Sequence, residues 1–290
     1  MSFETLRTVA AIRQQVGEWK RDGLSVGLVP TMGALHAGHL SLVDQIARQA
    51  DRVVVSLFVN PTQFAEGEDF DSYPRTEPQD AAKLQATPTD ALYVPSAAEV
   101  YAPGFATEIA IAGPALGLES DARPHFFAGV ALVVAKLFLQ CQPDMAIFGE
   151  KDYQQLLVIR RMVQDLNMPV QVLAGATMRE ADGLAMSSRN RYLDDGQRKI
   201  AGKLNLVLAG LCETIRNSKD DGKNDSENVN RAVEEATHEL LAAGFSQVDY
   251  LAIKDADSLQ DVTPQTTSRR ALVAARIGDM RLIDNMPVED

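Results

Sequence analysis

Two histidines three residues apart, His36 and His39, lie in the stretch 29–42, VPTMGALHAGHLSL. The stretch leaves an apolar run, passes Pro30, Thr31 and Gly33, and enters a helical pattern. Both imidazoles then share one face of a helix start. A helix N-terminus presents unpaired N–H groups and the positive end of the dipole, which favours a bound phosphate. Imidazoles there can donate hydrogen bonds to phosphate oxygens, and Gly38 between them lets a nucleotide approach the backbone. A surface histidine pair on a capped helix is the plainer alternative. An HxxH metal site is a third, weakened by the lack of an acidic or third histidine ligand nearby.

Three further segments carry chemistry. Residues 56–64, SLFVNPTQF, hold Asn60 and Gln63, neutral groups able to bond a hydroxyl and a carboxylate without adding charge. An Asn-Pro turn with a polar tip is the competing explanation. Residues 148–155, FGEKDYQQ, offer Gly149 for close backbone approach and Lys151 as a compact charge for phosphate. Asp152 suits a ribose hydroxyl or a cation, and Gln155 lies one turn further along. Glu150 and Asp152 equally suit an ordinary helix start, which favours acids. Residues 178–191, MREADGLAMSSRNR, place Ser187, Ser188 and Arg189 side by side, hydroxyls and a guanidinium that can follow a triphosphate through a reaction.

The elements that must position these groups follow from periodicity. Short apolar runs at 24–30, 52–59, 91–95, 143–148 and 170–173 are bounded by turn residues and suit buried strands. Helical spacing fills the gaps at 39–50, 129–139 and 153–166, with Leu40, Val43, Ile46 and Ala47 on one face of the first. Strands alternating with helices imply a parallel sheet with right-handed crossovers. The expected fold is α/β, a Rossmann-like doubly wound parallel-sheet domain over 1–177. Beyond it, helices at 198–217 and 229–243 and strands at 248–253, 270–276 and 280–283 form an α+β pattern. That pattern predicts a smaller C-terminal domain, 178–290, carrying the MSSR loop. The polar stretch 217–230, NSKDDGKNDSENVN, reads as an exposed, mobile connection.

Composition narrows the class. With 290 residues, 46% hydrophobic and 23% charged, the chain can build a real core. A formal net charge of -12 argues against a large nucleic-acid footprint, which needs clustered Lys and Arg. No apolar run is long enough to span a bilayer, and residues 1–10 lack an apolar signal core. Cys141 and Cys212 stand in no ligand spacing, and Cys141, after the apolar stretch 130–139, reads as a small buried thiol. Together these features predict a cytoplasmic protein.

PTMGALHAGH, FVNPTQF, FGEKDYQQ and MSSRNRYL, followed by IGDMRLIDN at 277–285, resemble the pantothenate synthetase (pantoate–β-alanine ligase) family. The first and fourth are similar to the HIGH-type and KMSKS-type signatures of nucleotidyltransferases and class I aminoacyl-tRNA synthetases. Leu184 and Ala185 before Met186, and Arg189 as the second basic position, set this chain apart from the aminoacyl-tRNA synthetases. The likeness runs from about 29 to 285. One departure is Arg123-Pro124-His125-Phe126-Phe127, where the family commonly has Arg-Pro-x-His-Phe; His125 is displaced by one position and is given no catalytic role.

The resemblance implies a ligase that activates pantoate with ATP as a pantoyl adenylate, releases pyrophosphate, and passes the acyl group to β-alanine with release of AMP. It implies catalytic roles for His39 (treated by the family as the acid), His36 and Lys151. ATP binding is implied for Pro30, Thr31, Met32, Gly33, Ala34, Leu35, His36, Ala37, Gly38 and His39, for Gly149, Glu150, Lys151 and Asp152, and for Met178, Met186, Ser187, Ser188 and Arg189. Gln63, Gln155 and Asn60 are implied for pantoate and β-alanine. Mg²⁺ and a homodimer also follow by resemblance; the metal ligands are unassigned. Two rivals remain: a nucleotidyltransferase acting on a different small acceptor, and a nucleotide-binding regulator without catalysis. A phosphorylated acceptor would want extra Lys or Arg near Gln63.

Overall fold

The computed structural model describes residues 3–64, 67, 70–217 and 225–289. The chain divides into two compact units, Met1–Glu150 with Gln155–Ala176, and Lys151–Gln154 with Thr177–Asp290.

In the first unit the elements run β1 (Glu4–Leu6), α1 (Val9–Arg21), β2 (Val26–Thr31), α2 (Ala37–Ile46), β3 (Arg52–Leu57), α3 (Glu77–Leu84), β4 (Ala91–Tyr93), α4 (Ala97–Val100), α5 (Glu119–Ala122), α6 (Phe126–Cys141), β5 (Met145–Gly149), α7 (Tyr153–Asp165, its first two residues belonging to the second unit) and β6 (Gln171–Gly175). The six strands form one sheet in the order β1-β4-β3-β2-β5-β6, every pair parallel. A parallel sheet covered on both faces reads as unbroken apolar runs, which is why β2 and β3 are visible as such. Their side chains alternate between two cores. Leu28 and Val54 pack with α1, α6 and α7, while Val29, Val53 and Val55 pack with α2 and α3. Helix α6 is apolar almost all round and buried accordingly. It begins three residues before the expected 129 and ends at Gln142, whose φ of 46° is left-handed. Strand β1, only three residues long and paired to β4 through Glu4↔Ala91, has no periodic signal.

The second unit contains α8 (Asp195–Ala201), α9 (Lys203–Asn217), α10 (Asp225–Ala242), β7 (Gln247–Asp255), β8 (Arg269–Ile277) and β9 (Met280–Pro287). The three strands form an antiparallel sheet in the order β7-β8-β9. Apolar faces of α9 and α10 pack against it. The parallel α/β domain and the smaller α+β part match the expected fold class. Three expected boundaries change. The helix placed at 198–217 is two helices broken at Gly202, and it starts earlier because Asp194 and Gln197 close a capping box. Helix α10 begins at Asp225, so 225–230 is helical and not a loop; residues 218–224 of the polar stretch lie outside the described residues. Strand β9 runs past the expected 283 to Pro287, through two polar residues that an apolar pattern cannot reveal.

Among the described residues no helix is long and apolar enough to cross a membrane. Both cysteines are buried thiols. Burial pushes Cys141 up, and it pushes Cys212 up to about 11.

Candidate active site

Strand order reverses at β2: β3 and β4 lie on one side of it, β5 and β6 on the other. In open α/β sheets ligands bind beyond the carboxyl ends of the strands at such a switch point. The stretch carrying His36 and His39 leaves β2 there, and Glu150 follows β5 there.

The turn after β2 is built tightly. Thr31 Oγ1 donates to Ser56 O at 2.8 Å and accepts from Gly33 N at 3.2 Å. Gly33 (φ 85°) and Ala34 (φ 52°) are both left-handed. For alanine that conformation costs about 1–2 kcal/mol, so something must hold it. That something is Asp80 of α3, wholly buried. Its two carboxylate oxygens accept from Ala34 N and Leu35 N, each at 2.8 Å, and Oδ2 also accepts from Thr76 Oγ1 at 3.0 Å. Successive N–H groups in such a turn form an anion-binding concavity, filled here by the chain's own carboxylate. Lys83, one turn on, donates to Leu35 O at 2.5 Å. Asp80 and Lys83 thus bracket the loop; neither stands out in the sequence, where TEPQDAAKL reads as a polar amphipathic helix.

The histidines are fixed by the helix they begin. His36 is the N-cap of α2 and His39 its third residue, so the pair form a capping box. His36 Nδ1 accepts from Gly38 N at 3.1 Å, and His39 Nδ1 accepts from His36 N at 3.3 Å. A nitrogen that accepts an N–H carries no proton of its own. Both rings are therefore assigned the tautomer with the proton on Nε2, a hydrogen-bond donor. Their centroids are 4.0 Å apart.

Beyond β3, Asn60 is wholly buried and its side chain is saturated. Oδ1 accepts from Tyr101 Oη at 2.8 Å, Thr62 Oγ1 at 3.0 Å and Thr62 N at 3.3 Å. Nδ2 donates to Gln63 Oε1 at 3.0 Å and to Gly129 O at 3.2 Å. Burial pushes the Tyr101 hydroxyl above its ordinary range, which keeps it a donor. Gln63 is half-buried, and Arg123 holds its backbone carbonyl at 2.8 Å. The turn Pro61–Gln63 lies directly on α6, where a Cβ on Gly129 would sit 2.2 Å from Thr62 O. No side chain fits at Gly129 without moving the Gln63 turn. Tyr101, Arg123 and Gly129 all escape a reading of the sequence for binding residues. His125 is exposed at the start of α6 and makes no side-chain cap.

At the end of β5, Gly149 and Glu150 are half-buried, and a Cβ on Gly149 would meet no protein atom within 4 Å. Gln155 is half-buried on α7.

In the second unit the segment Lys151–Gln154 is held by β8 and β9. Asn285 Nδ2 donates to Lys151 O at 2.8 Å, and Tyr153 Oη donates to Ala256 O at 3.0 Å. The Arg270 guanidinium stacks 3.9 Å over the Tyr153 ring. Separately, 178–186 folds into a short turn, with an antiparallel bridge Arg179↔Ala185 and Met186 N donating to Met178 O at 2.9 Å. Ser187 then caps the 3₁₀ turn Ser188–Tyr192, so its hydroxyl, Ser188 and Arg189 sit at a helical start. Asn190 donates to Glu180 Oε1 at 3.0 Å and Ala185 O at 3.1 Å, tying this turn back to the loop. Its buried Oδ1 has no hydrogen-bond partner among the described residues. Among the described residues no group of three His, Cys, Asp or Glu side chains forms a metal-ligand cluster.

The comparisons with known proteins agree. The pantoate-beta-alanine ligase family model matches residues 4–287. The chain is 51% identical to the pantothenate synthetase of Maricaulis maris over 284 residues, covering 96% of this chain and 94% of that one. It is 52% identical to that of Paramagnetospirillum magneticum, with 98% and 97% covered. Among solved structures, pantothenate synthetase from Thermus thermophilus superposes with a TM-score of 0.88 at 45% identity, covering 99% of this chain and 100% of that chain. Pantoate-beta-alanine ligase from Francisella tularensis, complexed with beta-gamma ATP and beta-alanine, gives 0.80 at 32%, with 100% and 99% covered.

Proposed function

The chain belongs to the pantoate-beta-alanine ligase family and is an ATP-dependent ligase joining pantoate to β-alanine, and from that premise we propose how its residues divide the work. The pantoate carboxylate attacks the α-phosphorus of ATP, and the bond to the β-phosphate oxygen breaks. Pyrophosphate leaves and the pantoyl adenylate stays bound. The β-alanine amine then attacks the acyl carbon, expelling AMP and giving up a proton. Neither step needs a side-chain nucleophile, so positioning and electrostatics carry the catalysis.

The observation that carries this assignment is the locked pair of imidazoles at the start of α2. Each uses Nδ1 as an acceptor for the backbone, which puts the ring proton on Nε2, the atom this reading gives to phosphate oxygens. The α2 N-terminus adds its dipole to the same charge. Met32 to His39, with Pro30 and Thr31, line the nucleotide; Gly149 and Glu150 follow it at the end of β5. Lys151, Asp152, Met178, Met186, Ser187, Ser188 and Arg189 serve the nucleotide as well, with Lys151 and Arg189 opposing the charge of the departing pyrophosphate. Gln63 and Gln155 hold pantoate. Asn60, buried and saturated, acts by fixing the Gln63 amide.

Mg²⁺ would enter on the triphosphate and would neutralise phosphate charge there. Such an ion keeps substrate oxygens and waters as most of its ligands, so the protein need not supply a ligand cluster of its own. The enzyme acts as a homodimer in the cytoplasm. Two buried thiols suit a reducing compartment.

Gln63→Ala tests the pantoate assignment. The expected result is a pantoate KM raised by about tenfold or more, with the ATP KM changed far less. Equal effects on both would remove Gln63 from the pantoate site.

A further inference from the structure

The segment IGDMRLIDN matches the family's ending, yet none of the roles assigned above uses it. We propose that Asp284 and Asn285, adjacent on β9, are positioning residues that set two nucleotide-handling segments at once: Lys151 through Asn285, and the 178–186 turn leading to Ser187 through Asp284. The proposal rests on the role given to Lys151 above.

Side chains of neighbouring strand residues point to opposite faces. Asp284 therefore shares its face with Leu282 and Met286, both packed in the core of this unit, while Asn285 faces the other way. Asn285 accepts from Arg270 Nε at 2.8 Å and donates to Lys151 O at 2.8 Å. Arg270 in turn stacks on Tyr153, two residues after Lys151. The Lys151 backbone is thus gripped from the sheet at its own carbonyl and through the ring beyond it. Asp284, its side chain 1% exposed, takes both Nη atoms of Arg179, at 2.7 and 3.0 Å. This two-point carboxylate–guanidinium pair is strong and directional. Arg179 also donates to Gly183 O at 3.0 Å and is bridged to Ala185, so it closes the turn from inside. The next residues are Met186 and Ser187. Asn285 N donates to Asp284 Oδ1 at 2.8 Å, which joins the two arms. A buried polar pair within a strand would be costly without such partners. The bonds to Lys151 O and to Arg179 lead to segments assigned above to the nucleotide.

The test separates the arms. Asn285→Asp keeps the acceptor for Arg270 and exchanges the donor to Lys151 O for a carboxylate oxygen that repels it; Asp284→Asn keeps one of the two bonds to Arg179. Single-turnover pyrophosphate release with pantoate and ATP reads the first chemical step. AMP release after β-alanine is added to the preformed adenylate reads the second, and thermal melting reads the fold. The expected result for Asn285→Asp is a loss of about tenfold to a hundredfold in the first step, the scale of a small misplacement of a reacting group. The second step and the melting temperature stay close to wild type. Asp284→Asn lowers the first step too, with a raised ATP KM. A first step unchanged in both variants, or both steps falling together with the melting temperature, would overturn the proposal and leave a purely structural pair. Lys151→Ala is the control: if it adenylates at the wild-type rate, the role of Lys151 itself fails and the proposal falls with it.

Discussion

Asp80→Asn is expected to cost this enzyme most of its first chemical step, on the order of a hundredfold or more, although Asp80 touches no substrate. The carboxylate serves two backbone amides 2.8 Å away. An asparagine of the same shape has one oxygen for one of them and turns an NH₂ group toward the other. A buried amide left without an acceptor costs about 1–3 kcal/mol. The loop has a ready way to relieve this, because Ala34 is held at φ 52° and gains by leaving it. Relaxation of Gly33 to Leu35 displaces His36, whose place as N-cap also fixes His39. The measurement is single-turnover pyrophosphate release, with thermal melting beside it. A lowered melting temperature with an intact first step would show that Asp80 serves the fold and not the histidines. Lys83→Met, which removes the bond to Leu35 O and the 3.9 Å ion pair with Asp80, should give a smaller loss of the same kind.

Lys151→Ala carries the second large effect. Removing one preorganised group that opposes developing charge costs roughly 2–4 kcal/mol, about 30-fold to 1000-fold in rate. Here the backbone grip on residue 151 survives the substitution, since Asn285 bonds its carbonyl and not its side chain. The variant should therefore fold, melt normally and bind pantoate normally, while adenylate formation fails. Reaction of a preformed adenylate with β-alanine should continue, because the charge that builds there falls on the departing AMP phosphate and not on the pyrophosphate that Lys151 opposes. Wild-type single-turnover rates for Lys151→Ala would end its assignment.

What can be read from the chain and what cannot divides along physical lines. Residue types at particular spacings mark His36, His39, Gln63, Lys151 and Ser187 to Arg189 as candidates before any fold is known. Buried parallel strands are equally legible, because β2 and β3 are apolar on both faces. The supporting layer is hidden. Asp80 bonds residues 45 and 46 positions away, and nothing in a polar helix marks one acid among several as buried. Tyr101 reaches Asn60 across 41 positions. Asn60 itself looks like a substrate ligand because a polar residue at a strand end usually faces solvent; its complete burial and saturation redirect it to holding Gln63. Asp284 and Asn285 interrupt the apolar pattern and so shorten the expected β9, although they are strand residues. Long-range hydrogen bonds leave no periodic trace, and these positioning residues depend on them.

The most direct measurement is pyrophosphate release from ATP and Mg²⁺ with pantoate alone, followed by AMP release on adding β-alanine. The expected result is a single-turnover burst of pyrophosphate that requires pantoate and not β-alanine, then AMP in equal amount once β-alanine arrives. Pyrophosphate that appears without pantoate, or only when β-alanine is already present, would contradict a pantoyl adenylate formed at these residues.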